Sequence, residues 1–192
     1  MAGQTPNGSS VVRFVGSDFL DLASTILPTS DADGFTVVAF LRPTAPDGHR
    51  TVLSGVVGGL SYVIRPTYEQ GLDRSFAAGL GNSTIPLSST EFSSINARAN
   101  DSGGVFRLNG ADDGTISGST FTAGILRVGA CLNGCEPYVG DIAEIRIYDT
   151  QLSLSEIQGV EAELNAAYVP EPSSFALTAL GLLGLLGRRR RQ

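Results

Sequence analysis

Few residues in this chain could make or break bonds. A serine nucleophile would need a base beside it, and His49, in Pro46-Asp-Gly-His-Arg50, is the only histidine. In that loop it reads as a surface residue. Cys131 and Cys135 enclose Asn133-Gly134 in CLNGC. A metal site would need more ligands than this pair, and His49 is far away in sequence. Outside the cytoplasm, such a close pair reads as a disulfide that clips a hairpin tip, with a small stabilising effect because the loop is short.

The C-terminus carries a different kind of pattern. Pro170-Glu171-Pro172 is followed by an uncharged run from Ser173 to Gly187 and then by Arg188, Arg189, Arg190 and Arg191. As a helix at ~1.5 Å per residue the run would span roughly 22 Å, against a bilayer core of about 30 Å. That length fits a transient membrane helix better than a lasting span. The arginines would stay on the cytoplasmic side, and the two prolines separate the segment from the domain before it.

The elements that precede this tail read as all-β. Glycine, serine and threonine are plentiful and helix formers scarce. Turn dipeptides at Asp33-Gly34, Asp47-Gly48, Gly58-Gly59, Asn109-Gly110, Asp113-Gly114 and Asn133-Gly134 separate short apolar runs. The runs are residues 11–15, 35–41, 51–57, 60–64, 75–80, 105–108, 125–128 and 142–148. Residues 35–41 are apolar on both faces, as in a central strand. In 142–148, Ala143, Ile145 and Ile147 are expected on the buried face, with Glu144, Arg146 and Tyr148 opposite. One helix is expected, capped by Ser153 with Glu156 completing a capping box, and striped by Ile157, Val160, Leu164 and Tyr168. The net charge is −6; four Arg and one Glu in the tail contribute +3, so the rest carries −9. An acidic body without basic patches excludes nucleic acid as a partner.

The tail resembles the PEP-CTERM sorting signal of bacterial exported proteins, with its Pro-Glu-Pro, membrane helix and Arg-rich end in order. The resemblance implies export, transient insertion in the inner membrane, and processing near Pro170, Glu171 and Pro172 by an exosortase-type enzyme. The destination would be the cell surface or extracellular matrix. An exported chain also needs a basic, then apolar, leader. The polar start MAGQTPNGSSVVRF is therefore expected to lie downstream of one, or to begin a truncated product.

The body resembles a laminin-G-like, concanavalin A-like jelly roll. Gly140-Asp-Ile-Ala-Glu-Ile-Arg-Ile-Tyr-Asp149 with Leu152-Ser153 resembles the family's closing strand and helix. Val105-Phe-Arg-Leu-Asn-Gly110, Leu126-Arg-Val-Gly129, Phe35-Thr-Val-Val-Ala-Phe-Leu-Arg-Pro43 and Val12-Arg-Phe-Val-Gly16 resemble its other strands, in order. Phe40 replaces the family's strand tryptophan, Ala143 and Val15 replace two aspartates, and the strand marked by Trp-His-x-Val is not evident around Glu91–Ala99. The expected organisation is a disordered or truncated 1–10, a sandwich over 11–168, and a sorting segment over 169–192, with its transmembrane helix at about 173–187 and basic tail at 188–191.

Enzymes of this fold place carboxylates as Glu-x-Asp-x-x-Glu so that a nucleophile and an acid flank the glycosidic bond. Asp141 and Glu144 are present, but position 139 is Val, so the triad is missing. The resemblance makes a structural Ca²⁺ the cofactor to look for. Asp18, Asp21, Asp112, Asp113 and Glu144 are available, and the ligands are left unassigned. Tyr62, Tyr68, Tyr138 and Tyr148 are candidates for a sugar-stacking platform, against core or rim packing for each. The expected function is a non-catalytic, exported module that binds polysaccharide or a matrix protein, or is structural. The alternatives are a divergent glycoside hydrolase, or a truncated paralogue without independent function.

Overall fold

The computed structural model describes residues 4–22, 33–45, 50–57, 60–69, 72–77, 81–82, 87–116, 126–131 and 134–169. The described strands are β1 (Val12–Val15), β2 (Leu20–Asp21), β3 (Phe35–Pro43), β4 (Leu53–Val57), β5 (Leu60–Glu69), β6 (Leu72–Ala77), β7 (Gly81–Asn82), β8 (Ser93–Asn100), β9 (Gly103–Leu108), β10 (Ala111–Ile116), β11 (Leu126–Val128) and β12 (Val139–Tyr148). One helix, α1 (Leu154–Tyr168), follows them. The strands form two six-stranded antiparallel sheets, ordered β1-β12-β3-β8-β9-β10 and β2-β11-β4-β5-β6-β7. This is the expected all-β jelly-roll sandwich with one short C-terminal helix.

The pattern of β3 explains the layering. Phe35, Val37, Ala39 and Leu41 point between the sheets and pack with Phe14, Ile95, Phe106, Leu126, Tyr138 and Ile142. Val38 and Phe40 point the other way and pack under α1 with Ile157, Leu164 and Leu152. A strand apolar on both faces therefore has a cover on both. Burying Ile157 and Leu164 completely stabilises the docked helix by about 1.5–3 kcal/mol each. The helix begins as its sequence predicts. Ser153 Oγ accepts from the Glu156 amide at 3.4 Å, and the Glu156 carboxylate accepts from the Ser153 amide at 2.8 Å.

Four local readings change. First, a strand does occupy the region around Glu91–Ala99: β8 lies between β3 and β9, although its Ser93, Ser94 and Asn96 are polar and buried. Second, Asp113-Gly114 is not a turn but a bulge inside β10, where the register shifts between Asp112 and Thr115. Third, a bulge between Ile142 and Glu144 shifts β12. Ile142, Ile145 and Ile147 face the inter-sheet core, and Ala143 packs on the helix side with Tyr148. Fourth, Leu72–Ala77 is the strand where 75–80 was expected. Asn109-Gly110 does form the two-residue β9–β10 turn, with φ of 49° and 84°. At the other end of the chain, where disorder or truncation was expected, residues 4–10 include a closed turn. Its Gln4 bridges Ser10 and its Asn7 amide donates to the Ala167 carbonyl of α1.

Among the described residues no helix is long and apolar enough to cross a membrane. Pro170–Pro172, the 173–187 run and Arg188–Arg191 lie outside the described residues.

Candidate functional site

The carboxylates singled out in sequence do not converge. Asp141 on β12 is fully buried and accepts from Arg13 Nε and Nη2 at 2.7 and 2.9 Å and from Arg42 Nη2 at 2.5 Å. Burial alone would raise its pKa, but the hydrogen bonds from Arg13 and Arg42 outweigh it and hold the carboxyl below the usual range. Glu144, also on β12, accepts from Tyr168 Oη at 2.7 Å and from Arg146 Nε at 2.6 Å. Its pKa is also lowered, burial being outweighed by those two partners. Asp21 pairs with Arg127, Asp112 with Arg107, and Asp18 accepts from the Val15 amide. Asp113 is buried in the β10 bulge. Among the described residues no group of three or more His, Cys, Asp or Glu side chains is placed to hold a metal ion.

The remaining candidates divide similarly. Tyr138 is wholly buried, edge-on to Phe14 at 6.0 Å between ring centroids, so it is a core residue and cannot stack on a sugar. Tyr148 is half-buried beneath α1. The side chains of Tyr62 and Tyr68, in β5, and all of His49 lie outside the described residues. Cys131 and Cys135 are joined by a disulfide, Cα to Cα 5.1 Å, and the Gly134 amide donates to the Cys131 carbonyl at 2.8 Å.

Two groupings were not visible in the sequence. One is buried beneath α1. Glu161, on the helix, accepts from Asn96 Nδ2 at 2.6 Å and from Arg107 Nε and Nη2 at 3.1 and 3.2 Å. Arg107 also pairs with Asp112 and donates to the Gly110 carbonyl. This cluster fixes the helix to β8 and β9 and is closed to ligands: Arg107 and Glu161 are 4% and 5% exposed.

The other grouping is on the rim. Phe19, in the β1–β2 connection, is 45% exposed, and the Arg127 guanidinium carbon lies 3.8 Å from its ring centroid. Arg127 is itself forked onto Asp21 at 2.6 and 2.9 Å, its register partner across β2 and β11. One face of the ring is thus backed by a pinned cation, which stiffens it, while the ring remains accessible. Gly129 allows the connection to close here. At φ 91°, a Cβ on it would meet the Phe14 ring at 2.4 Å and the Asp18 carbonyl at 3.1 Å. Leu20, beside Phe19, is 53% exposed. An accessible aromatic ring with polar groups beside it can stack on a sugar ring.

Two antiparallel sheets around one core and a helix docked on one outer face define a lectin-like β-sandwich. Residues 14–158 match the family model of the concanavalin A-like lectin/glucanases superfamily, and the chain belongs to that family. Residues 169–191 match the PEP-CTERM protein-sorting motif, which marks an exported protein sorted by way of the membrane and implies exosortase processing and membrane anchoring.

Solved structures share the fold at low identity. A native heptameric SAP-like pentraxin from Limulus polyphemus matches with TM-score 0.63 and 15% identity, over 78% of this chain and 80% of that one. Domain 4 of AbnA, a GH43 extracellular arabinanase from Geobacillus stearothermophilus, in complex with arabinotriose, matches with TM-score 0.60 and 14% identity, over 80% and 77%. The CBM40 of the Ruminococcus gnavus IT-sialidase matches with TM-score 0.56 and 13% identity, over 84% and 98%. Comparison with curated protein sequences gives no match.

Proposed function

We propose that residues 11–168 are a non-catalytic glycan-binding module, delivered to the cell surface or extracellular matrix by the segment 169–192. In this reading an exosortase-type enzyme processes the chain near Pro170, Glu171 and Pro172, after residues 173–187 have entered the membrane with Arg188–Arg191 on the cytoplasmic side. The observation that carries the binding role is Phe19, an accessible ring backed by the Arg127–Asp21 pair. Domain 4 of the arabinanase, which holds arabinotriose, and the sialidase CBM40 lend it support as relatives in fold.

The charge state of the carboxylates speaks against catalysis. A glycosidase acid needs a carboxyl that keeps its proton near neutrality. Asp141 and Glu144 are both shifted the other way, each already bound by cationic or phenolic donors. Val139 leaves no third acid at the position where the hydrolases carry one.

The test is titration calorimetry of the full chain in non-ionic detergent against arabinotriose, sialyllactose and β-glucan oligosaccharides. At least one should bind, and Phe19→Ala should weaken it about tenfold, the scale of one aromatic stacking contact. Failure of all three to bind would sink the binding role. Turnover of a β-glucan that Glu144→Gln abolishes would overturn the non-catalytic one.

A further inference from the structure

Two of the described arginines are outnumbered by their carboxylate partners. Arg107 meets two carboxylates, Asp112 and Glu161, and Arg146 meets two, Glu144 and Glu163. Arg127 is matched by Asp21. Among the described ion pairs the balance reverses at one place, where Arg13 and Arg42 share the single carboxylate of Asp141. That cluster keeps one positive charge in a body that carries −9.

Its donors are not used up. Asp141 takes Arg13 Nε and Nη2 and Arg42 Nη2. Among the described residues Arg13 Nη1 and Arg42 Nη1 have no acceptor. Arg42 Nε is buried and also unpaired, whereas its Nη1 is not among the buried unpaired atoms. The side chains of Arg13 and Arg42 are 40% and 25% exposed. Both are held in place: Asp141 is buried between them, and the Arg42 guanidinium carbon lies 4.9 Å from the Phe92 ring centroid. Phe92 in turn stacks on Phe40 at 5.5 Å, and Phe40 on Tyr168 of α1 at 5.3 Å. The pair sits on the helix-bearing outer face of its sheet, on the adjacent strands β1, β12 and β3. Its ordering cost is met on folding, and planar guanidinium forks match a carboxylate in shape as well as charge.

We infer that Arg13 and Arg42, oriented by Asp141 and Phe92, form a second binding site that takes the carboxylate of an acidic, uronic-acid-type saccharide. This rests on the glycan-binding reading for its ligand class, but not on the Phe19 platform. The arrangement would let one domain hold an acidic polysaccharide at two points, stacking at the rim and pairing charge on the outer sheet face.

The probes are an oligogalacturonate and its methyl ester of equal length, which differ in the carboxyl charge and the ester methyl. They are titrated into the full chain in non-ionic detergent at low ionic strength. The acid form should bind roughly tenfold more tightly, the scale of one charge-assisted hydrogen bond. The preference should shrink in strong salt. Arg13→Gln should abolish it and also lower the melting temperature, because buried Asp141 loses two of its three hydrogen bonds; Arg13→Lys, which keeps the charge, should restore part of the preference. Equal affinity for the two oligomers, or a preference that survives Arg13→Gln, overturns the site. If neutral sugars still bind through Phe19, that failure leaves the glycan-binding reading standing. If no saccharide of either class binds, both fall.

Discussion

Replacing Glu161 by Leu should be among the most damaging single changes in the domain. The carboxylate is buried and takes three hydrogen bonds, two from Arg107 and one from Asn96. Its removal leaves a guanidinium that is 4% exposed with only Asp112 and the Gly110 carbonyl. Asn96, whose Oδ1 is already without a partner, loses its remaining side-chain bond. Breaking a buried ion pair from one side costs about 3–5 kcal/mol, a large part of the roughly 5–15 kcal/mol of a typical domain. Urea unfolding of the full chain in non-ionic detergent, followed by circular dichroism, should show that loss as a lower midpoint with an unchanged slope. The double change Glu161→Leu with Arg107→Met removes both charges and should recover much of it, since an apolar replacement of a buried pair is often neutral. A single variant costing under about 1 kcal/mol, or a double variant no more stable than the single, would refute the view that the pair is desolvated and mutually dependent.

Two further outcomes follow from the electrostatics and the cross-link. Asp141 and Glu144 have folded-state pKa values below the unfolded ones. Their stabilisation is therefore fully present above the unfolded carboxylate range of about 4 and is lost as pH falls through the lower folded values. The melting temperature should hold from pH 7 to about 5 and drop steeply below about 4; a flat profile down to pH 2 would contradict the assignment. Replacing Cys131 and Cys135 together by Ser should lower unfolding free energy by about 2 kcal/mol at most, because the closed loop is so short. A loss twice that size in urea titration would mean the bridge does more than close its own turn.

Much of the architecture was legible because its signals are local. The Ser153–Glu156 capping box, the Asn109-Gly110 turn and the two-faced apolarity of β3 each follow from a few adjacent residues. What escaped depended on partners remote in sequence. β8 reads as polar because Asn96 and Arg98 meet Glu161 and the Leu152 carbonyl of the helix region, which supply the acceptors those side chains need inside. Glu161 lies within an amphipathic helix, and its burial is set by Arg107 on another element. Ala143 changed faces because strand alternation holds only until a bulge adds a residue, and the bulge leaves no mark in composition. Phe19 is not legible as a surface ring in the sequence because a lone aromatic beside a turn reads as core. Its exposure and its cation–π partner exist only once β2 has paired with β11.

The order β1-β12-β3 sets a timetable. The first and third strands are not neighbours; the gap between them is filled by the last strand, whose Asp141 meets Arg13 across 128 residues of chain. Until residues 139–148 are available, that sheet is split and its first strand has nowhere to attach. Contacts of such long range form slowly. A chain threaded through a membrane from its N-terminus would thus stay open and threadable until nearly the whole body had been made. The sandwich would close only as the sorting tail arrived.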